Sequence, residues 1–199
     1  MEGLQVELQI NQKSREKEPP AGLGIMKPDC LAAVSFHRTM PGYAPTPLVP
    51  LPGLAGMLGI GSIWVKDESK RFGLNAFKVL GASYAMGKLA ARRLGLDPDG
   101  FGFEDLRSGT LGDLTFATAT DGNHGRAVAW TARRLGCQAV VYLPSATACA
   151  RVKAVESEGA EAVMVEGTYD EAVRLAAKES SERGWILVQD TAWSGYEEI

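Results

Sequence analysis

Lys78 stands between Phe72-Gly73-Leu74-Asn75-Ala76-Phe77 and Val79-Leu80-Gly81-Ala82-Ser83, an amine in otherwise apolar company. An amine at such a junction is placed to attack a carbonyl carbon and form a Schiff base. The pattern predicts Asn75 as the N-cap of a helix over residues 76–91, with Phe77, Leu80, Tyr84 and Leu89 near one face. Lys78 then falls in the first turn, where the helix dipole disfavours a cation by a few tenths to about 1 kcal/mol. Stability alone gives no reason for a lysine there, and the dipole and the apolar neighbours both favour the neutral, nucleophilic amine. The competing reading is a surface lysine whose stem lies on the helix and whose head reaches water; on spacing alone that reading is the stronger.

A second group of residues lies downstream. Thr118-Ala119-Thr120-Asp121-Gly122-Asn123-His124-Gly125-Arg126 follows an apolar strand candidate and opens a helix, a strand–glycine–helix junction. Glycines on both sides of Asn123-His124 let backbone approach a ligand, and N–H groups at a helix start can hold a carboxylate or phosphate. Taken alone, Asp121 reads better as an ordinary cap and Asn123 as a turn residue. Asp190, in Gln189-Asp190-Thr191-Ala192-Trp193, ends another strand candidate, where an acid commonly caps the following turn.

The two motifs, in this order, resemble the fold-type II family of pyridoxal 5′-phosphate enzymes, the group of threonine dehydratase, serine racemase, cysteine synthase and tryptophan synthase β. The small-polar-Phe step before Lys78 matches that family's cofactor-bearing lysine, and Asp121-Gly122-Asn123-His124 matches its Ser-x-Gly-Asn-His-like loop. The resemblance runs from about Phe36 onward. It implies that Lys78 and Asn123 bind the cofactor and that the loop of Thr120, Gly122 and His124 holds the substrate carboxylate. In detail the chain is similar to the diaminopropionate ammonia-lyases, through Ser35-Phe36-His37-Arg38-Thr39-Met40-Pro41-Gly42-Tyr43-Ala44-Pro45-Thr46-Pro47-Leu48, the block 66–85, the Asp121 loop and Gln189 to Trp193.

Where the dehydratases and racemase carry serine, this chain has Asp121, a far stronger base. The implied activity is α,β-elimination of D- and L-2,3-diaminopropionate to pyruvate and ammonia, with pyridoxal 5′-phosphate as cofactor. Lys78 would serve the L isomer from one face and Asp121 the D isomer from the other, with Asp190 binding the substrate amine or moving a proton. Two alternatives stay open: a non-catalytic fragment that binds an amino acid or a partner, and, more weakly, a serine/threonine dehydratase, against which Asp121 speaks. The implied partners are a small amino-acid substrate and a second copy in a homodimer. The chain stops about halfway along what the full enzyme would be, and it holds no four-glycine phosphate loop. It is therefore expected to be truncated, with an apolar face left unpaired and a possible complementing C-terminal half.

Composition agrees with a metabolic protein. With 199 residues, 45% hydrophobic residues and a net charge of −3, the chain can bury one good core and shows no basic stripe for nucleic acid or an anionic membrane. Residues 1–20 are polar and charged, without an apolar leader or spanning run, so the expected location is cytoplasmic. Cys30, Cys137 and Cys149 lack ligand spacing and read as reduced, mostly buried thiols. His37 and His124 are the only histidines, which argues against a histidine metal site; His37 is expected to satisfy a local hydrogen bond and His124 to shape its loop.

The elements that must position these residues alternate. Strands are predicted over residues 63–65, 114–119, 139–143, 161–165 and 185–188, and helices over 76–94, 124–135, 147–158 and 169–182. Residues 22–53 read as irregular connection and 97–112 as a solvated excursion. The fold class is α/β, a parallel sheet in three αβα layers, which the resemblance specifies as the tryptophan synthase β-like fold, type II. Its division is expected as a polar arm over 1–35, the first part of the larger cofactor domain over 36–80, and mostly the smaller α/β domain over 81–199. Right-handed crossovers then carry Asp121 and Asp190 to the carboxyl edge of the sheet.

Overall fold

The structure, a computed structural model, describes residues 29–191 and residue 196. Strands β3 (Thr115–Ala119), β4 (Gln138–Pro144), β5 (Glu161–Val165) and β6 (Ile186–Leu187) form a parallel sheet in the spatial order β5-β4-β3-β6. Every residue of β3 is buried, as a central strand covered on both faces must be. Alternation along the strands sorts the core into two layers. Phe116, Val141 and Leu143 belong to one core with Val128 and Leu135 of α5 (Asn123–Leu135) and Val79 and Met86 of α3 (Lys78–Leu94). Ala117, Ala119, Val140 and Tyr142 belong to the other, with Ala172 and Ala176 of α7 (Tyr169–Arg183). The αβα layering is thus present, and α6 (Cys149–Glu156) adds Val155 to the first core.

Local signals fix the helix ends. Thr168 caps α7 by accepting from Glu171 N–H while the Glu171 carboxylate accepts from Thr168 N–H at 2.6 Å, a reciprocal capping box. α3, α5 and α7 each stop at a glycine in the left-handed region, Gly95, Gly136 and Gly184.

Several sequence expectations are corrected. The stretch read as irregular holds α1 (Asp29–Thr39), β1 (Leu48–Pro50) and the start of α2 (Pro52–Leu58). β1 pairs antiparallel with β2 (Trp64–Lys66) in a sheet separate from the main one; two three-residue strands are too short to show a period. The stretch 97–112 is not a solvated loop. It contains α4 (Phe103–Arg107) and buries Phe101, Phe103, Leu106 and Leu111, with the Phe36 ring tilted against Phe101 and Phe103 at centroid distances of 5.0 Å and 6.5 Å. Glycines there mark turns between apolar anchors rather than a solvated excursion. Cys149 is exposed and Cys137 half-buried, so the thiols are less buried than expected; the side chain of Cys30 lies outside the described residues.

The approach to α3 differs most. Asn75 is not the N-cap: its φ of 59° puts it in the left-handed region, and the helix begins at Lys78 with Phe77 in the cap position. Asn tolerates that conformation through its short polar side chain. The preceding turn, Glu68–Gly73, already carries positive φ at Phe72 and Gly73, so Asn75 completes a tight reversal. The turn is held by Arg71, 5% exposed, which donates to Glu68, to Ala44 O at 2.9 Å and to Thr46 Oγ1 at 3.0 Å. His37 fastens α1 to α3 through its Nε2, 2.9 Å from Leu80 O and 3.2 Å from Ser83 Oγ.

α5 lies directly on the sheet because Gly125 has no side chain. A methyl there would stand 2.3 Å from Thr120 Cγ2 and 2.6 Å from Val141 Cγ1. Gly125→Ala is therefore expected to cost about 1–3 kcal/mol through overpacking. At roughly 2–4 °C per kcal/mol for a chain of this size, thermal denaturation by circular dichroism will register the loss, and an unchanged Tm would contradict this packing.

Candidate active site

The strand order creates the site. From β3 the chain moves outward to β4 and β5, then α7 carries it back across the opposite face to β6 on the other side of β3. The loops after β3 and β6 therefore diverge at a topological switch point, the place where open parallel sheets bind ligands. The first loop carries Thr120 to Asn123 and the second Asp190. α3 brings Lys78 to the same point, and Lys78 Nζ donates to Asp190 Oδ2 at 2.5 Å across 112 residues of sequence.

All seven residues singled out in the sequence meet here. Lys78, Thr120, Asp121, Gly122, Asn123, His124 and Asp190 line one cleft of about 320 Å³. Lys78, His124 and Asp190 also border a larger cavity of about 620 Å³, walled by Leu80, Tyr84 and Leu89 of α3. A polar chamber and an apolar one thus share the lysine. Two expectations about its surroundings change. Phe77 is 60% exposed and turned away from the core, whose helix face is formed by Val79, Ala82 and Met86 instead. Lys78 stands against a carboxylate, not in purely apolar company.

The members differ in what holds them. Thr120 is buried and its hydroxyl accepts from Gly122 N–H at 3.0 Å, so both groups stabilise the turn. Asp121 and Asn123 are exposed on the cleft. His124 is 6% exposed and its Nε2 donates to Val188 O at 3.0 Å, tying the start of α5 to the end of β6. Gln189 is oriented so that its Nε2 donates to Ala119 O and Thr118 Oγ1, both at 2.9 Å, which anchors the residue before Asp190 to β3.

The electrostatics follow from these contacts. Burial alone would raise the Asp190 carboxyl, but the Lys78 hydrogen bond and the nearby charges of His124 and Lys78 outweigh it and hold the group below its ordinary range. Burial depresses the His124 imidazole, against the Val188 hydrogen bond and the Asp190 charge.

Two residues escaped the sequence reading. Arg151, in the first turn of α6, lines the polar cleft and donates from Nη1 to Asp121 O at 2.5 Å. Tyr169, at the start of α7, hydrogen-bonds Thr191 and lies in the field of Asp190 and Asp121; burial, with those charges, raises its hydroxyl. Both follow a strand of the same sheet, β4 and β5, so the carboxyl-edge rule that selected Asp121 and Asp190 would have selected them too.

The family model for pyridoxal-phosphate dependent enzymes matches residues 39–199. The chain belongs to the pyridoxal-phosphate dependent enzyme family. Within the family it is 49% identical over 167 residues to diaminopropionate ammonia-lyase of Escherichia coli (strain K12), covering 84% of this chain and 42% of that protein. It is 45% identical over 199 residues to diaminopropionate ammonia-lyase of Salmonella typhimurium, covering 98% of this chain and 49% of that one. The crystal structure of the Escherichia coli ammonia lyase in complex with D-serine superposes with a TM-score of 0.83 at 47% identity, over 86% of this chain and 44% of the other. The chain thus spans about half the length of the curated relatives it matches. The fold type expected from the sequence is that of these family members, and the site residues fit the family's cofactor: among the described residues Lys78 is the one lysine lining the polar cleft, and it borders both cavities.

Because burial holds His37 and His124 below the ordinary histidine value of 6.5, the unfolded chain takes up protons first as pH falls. Stability from these two is complete above that value and is lost as pH drops through it toward the depressed folded values, before the carboxylates titrate. The urea midpoint is expected to be lower at pH 5 than at pH 7.5, with a flatter dependence in a His37→Gln, His124→Gln chain; an equal slope in both would assign the loss to other groups.

Proposed function

We propose that this chain supplies the reacting groups of a carbon–nitrogen lyase that converts D- and L-2,3-diaminopropionate, with water, to pyruvate and two ammonia molecules. The observation that carries the reading is the meeting of Lys78, Asp121 and Asp190 on one cleft of a family member that uses pyridoxal 5′-phosphate. Support also comes from the relatives at 45% and 49% identity named above.

When bound, the cofactor supplies the electron sink that makes a proton α to the amine removable. The remaining tasks fall to the protein. Lys78 would hold the cofactor and, with its amine free, would take the α proton of the L isomer. Asp121 would take that of the D isomer from the opposite side. Asn123 would help bind the cofactor, and the Thr120–Gly122–His124 turn would shape the seat of the substrate carboxylate. Asp190, paired with Lys78 in the chain without cofactor, would be free to meet the substrate's side-chain ammonium once Lys78 holds the cofactor. Two carboxylates favour a diamine over a neutral or acidic side chain, since an ammonium lost from their field forfeits attraction and an added carboxylate meets repulsion.

Residues 36–80 belong in this reading to a larger cofactor domain and 81–199 mostly to a smaller one, which the separation of the β1–β2 pair from the four-stranded sheet supports. Exposed Leu48, Met57, Leu58, Ile60 and Trp64 form apolar surface suited to a complementing C-terminal half or to a homodimer partner. The cytoplasm is the proposed compartment: Cys137 and Cys149 are unpaired, and among the described residues no helix is long and apolar enough to cross a membrane.

The first test mixes the chain with pyridoxal 5′-phosphate and follows the visible spectrum and borohydride trapping beside Lys78→Ala. A trapped band that disappears in Lys78→Ala is the expected result. Its absence in folded wild-type chain would support the non-catalytic alternative for the isolated polypeptide. Ammonia and pyruvate release from both diaminopropionate isomers should then exceed that from L-serine; the reverse order would favour the dehydratase alternative.

A further inference from the structure

The polar cleft holds one more charged side chain than this reaction uses. Arg151 occupies the first turn of α6, where a cation opposes the helix dipole and no acidic residue compensates it. Its placement therefore costs stability unless its contacts return it. Those contacts all go to one residue and the next. Nη1 donates to the Asp121 carbonyl at 2.5 Å and lies 3.8 Å from Asp121 Oδ2. The guanidinium also covers Gly122, whose missing side chain would begin 3.6 Å from Nη1. The Asp121 carboxylate is 76% exposed, and among the described residues Arg151 is the one cation within ion-pair distance of it.

Lys78 is positioned by a different set of groups. Arg71 holds the turn before α3, His37 holds its first turns, and Asp190 takes the ammonium. Among the described residues none of these hydrogen-bonds or ion-pairs with Arg151. The cleft's two proton-transfer groups thus rest on independent supports, one on α6 and one on α3.

We propose that Arg151 is a positioning residue for Asp121: its guanidinium clamps the Asp121–Gly122 backbone and holds the Asp121 carboxylate over the polar cleft. It follows that the face served by Asp121 depends on Arg151, whereas the face served by Lys78 does not. A planar guanidinium suits this task better than an ammonium, because it can address a carbonyl and a carboxylate from one rigid group. The assignment of a substrate face to each residue rests on the function proposed above; the clamp itself does not.

Two measurements separate these. In the chain without cofactor, 15N order parameters of Asp121, Gly122 and Asn123 report the clamp directly. In Arg151→Gln they are expected to fall from near 0.85, the rigid-backbone range, to below about 0.6. Arg151→Lys, which keeps the charge and a donor, should recover part of the order. The melting temperature is expected to shift by no more than about 2 °C, the range of an ordinary surface substitution. Unchanged order parameters in Arg151→Gln, or a loss spread over the whole of α5, overturn the clamp.

In cofactor-loaded protein assayed on both isomers, Arg151→Gln should lower kcat on the D isomer by about tenfold to a hundredfold, the effect of misplacing a reacting group. Turnover of the L isomer should change less than about twofold, and Arg151→Lys should restore part of the D activity. Equal losses on both isomers, or a rise in KM alone, would make Arg151 a ligand of the substrate carboxylate and overturn the positioning role. Wild-type protein that turns over neither isomer counts against the proposed function, while the order parameters still decide the clamp.

Discussion

The parallel pairing of β6 with β3 is the constraint on which the site depends. Val188 N–H donates to Ala117 O at 2.8 Å, and this short junction sets the end of β6 beside the end of β3, not beyond β5 where simple succession would place it. Only in that order do the loops after β3 and β6 open side by side. Asp190 then reaches Lys78, and both line one cleft with the Asp121 loop. With β6 on the far side of β5, the two aspartates would be separated by two further strands, roughly 5 Å apart each.

The junction is reinforced from both of its segments. His124 bonds to Val188 O from α5, and the Gln189 amide bonds to Thr118 and Ala119 from β6, so each side of the switch point is tied to the other's backbone. The buried residues here hold geometry, and the exposed ones line the cleft. Thr120 and His124, buried and committed to backbone partners, stand under Asp121 and Asn123, which remain open to the cleft. Such a division keeps reacting groups at fixed positions without covering them.

Charge is balanced within the cleft by pairs that belong to different elements. Lys78 of α3 meets Asp190 after β6, and Arg151 of α6 meets Asp121 after β3. Both cations stand in the first turn of their helices, against the dipole, which marks them as groups held for what they contact. Elsewhere in the fold, arginines serve the scaffold in the ordinary way: Arg126 and Arg133 of α5 enclose Glu158, whose carboxylate would be costly to bury alone.

Much of this was legible in the residues. Lys78, Asp121, Asn123 and Asp190 announced a chemistry by type, order and neighbours, and the strands and helices from β3 to α7 follow from periodicity and glycine stops to within about two residues, because each buries a repeating face. The family could be read from the same motifs. What failed locally had local causes: Asn75 is a good cap by type, but the reversal at Phe72 and Gly73 demanded a left-handed residue there, and strands as short as β1 carry no period. The aromatic cluster of Phe36, Phe101 and Phe103 joins segments far apart in sequence, so neither segment alone shows its burial. The contacts that complete the cleft, Lys78 with Asp190 and Arg151 with Asp121, were decided only by tertiary structure. They depend on the order of strands in the sheet, and strand order is set by which faces the crossing helices can cover together.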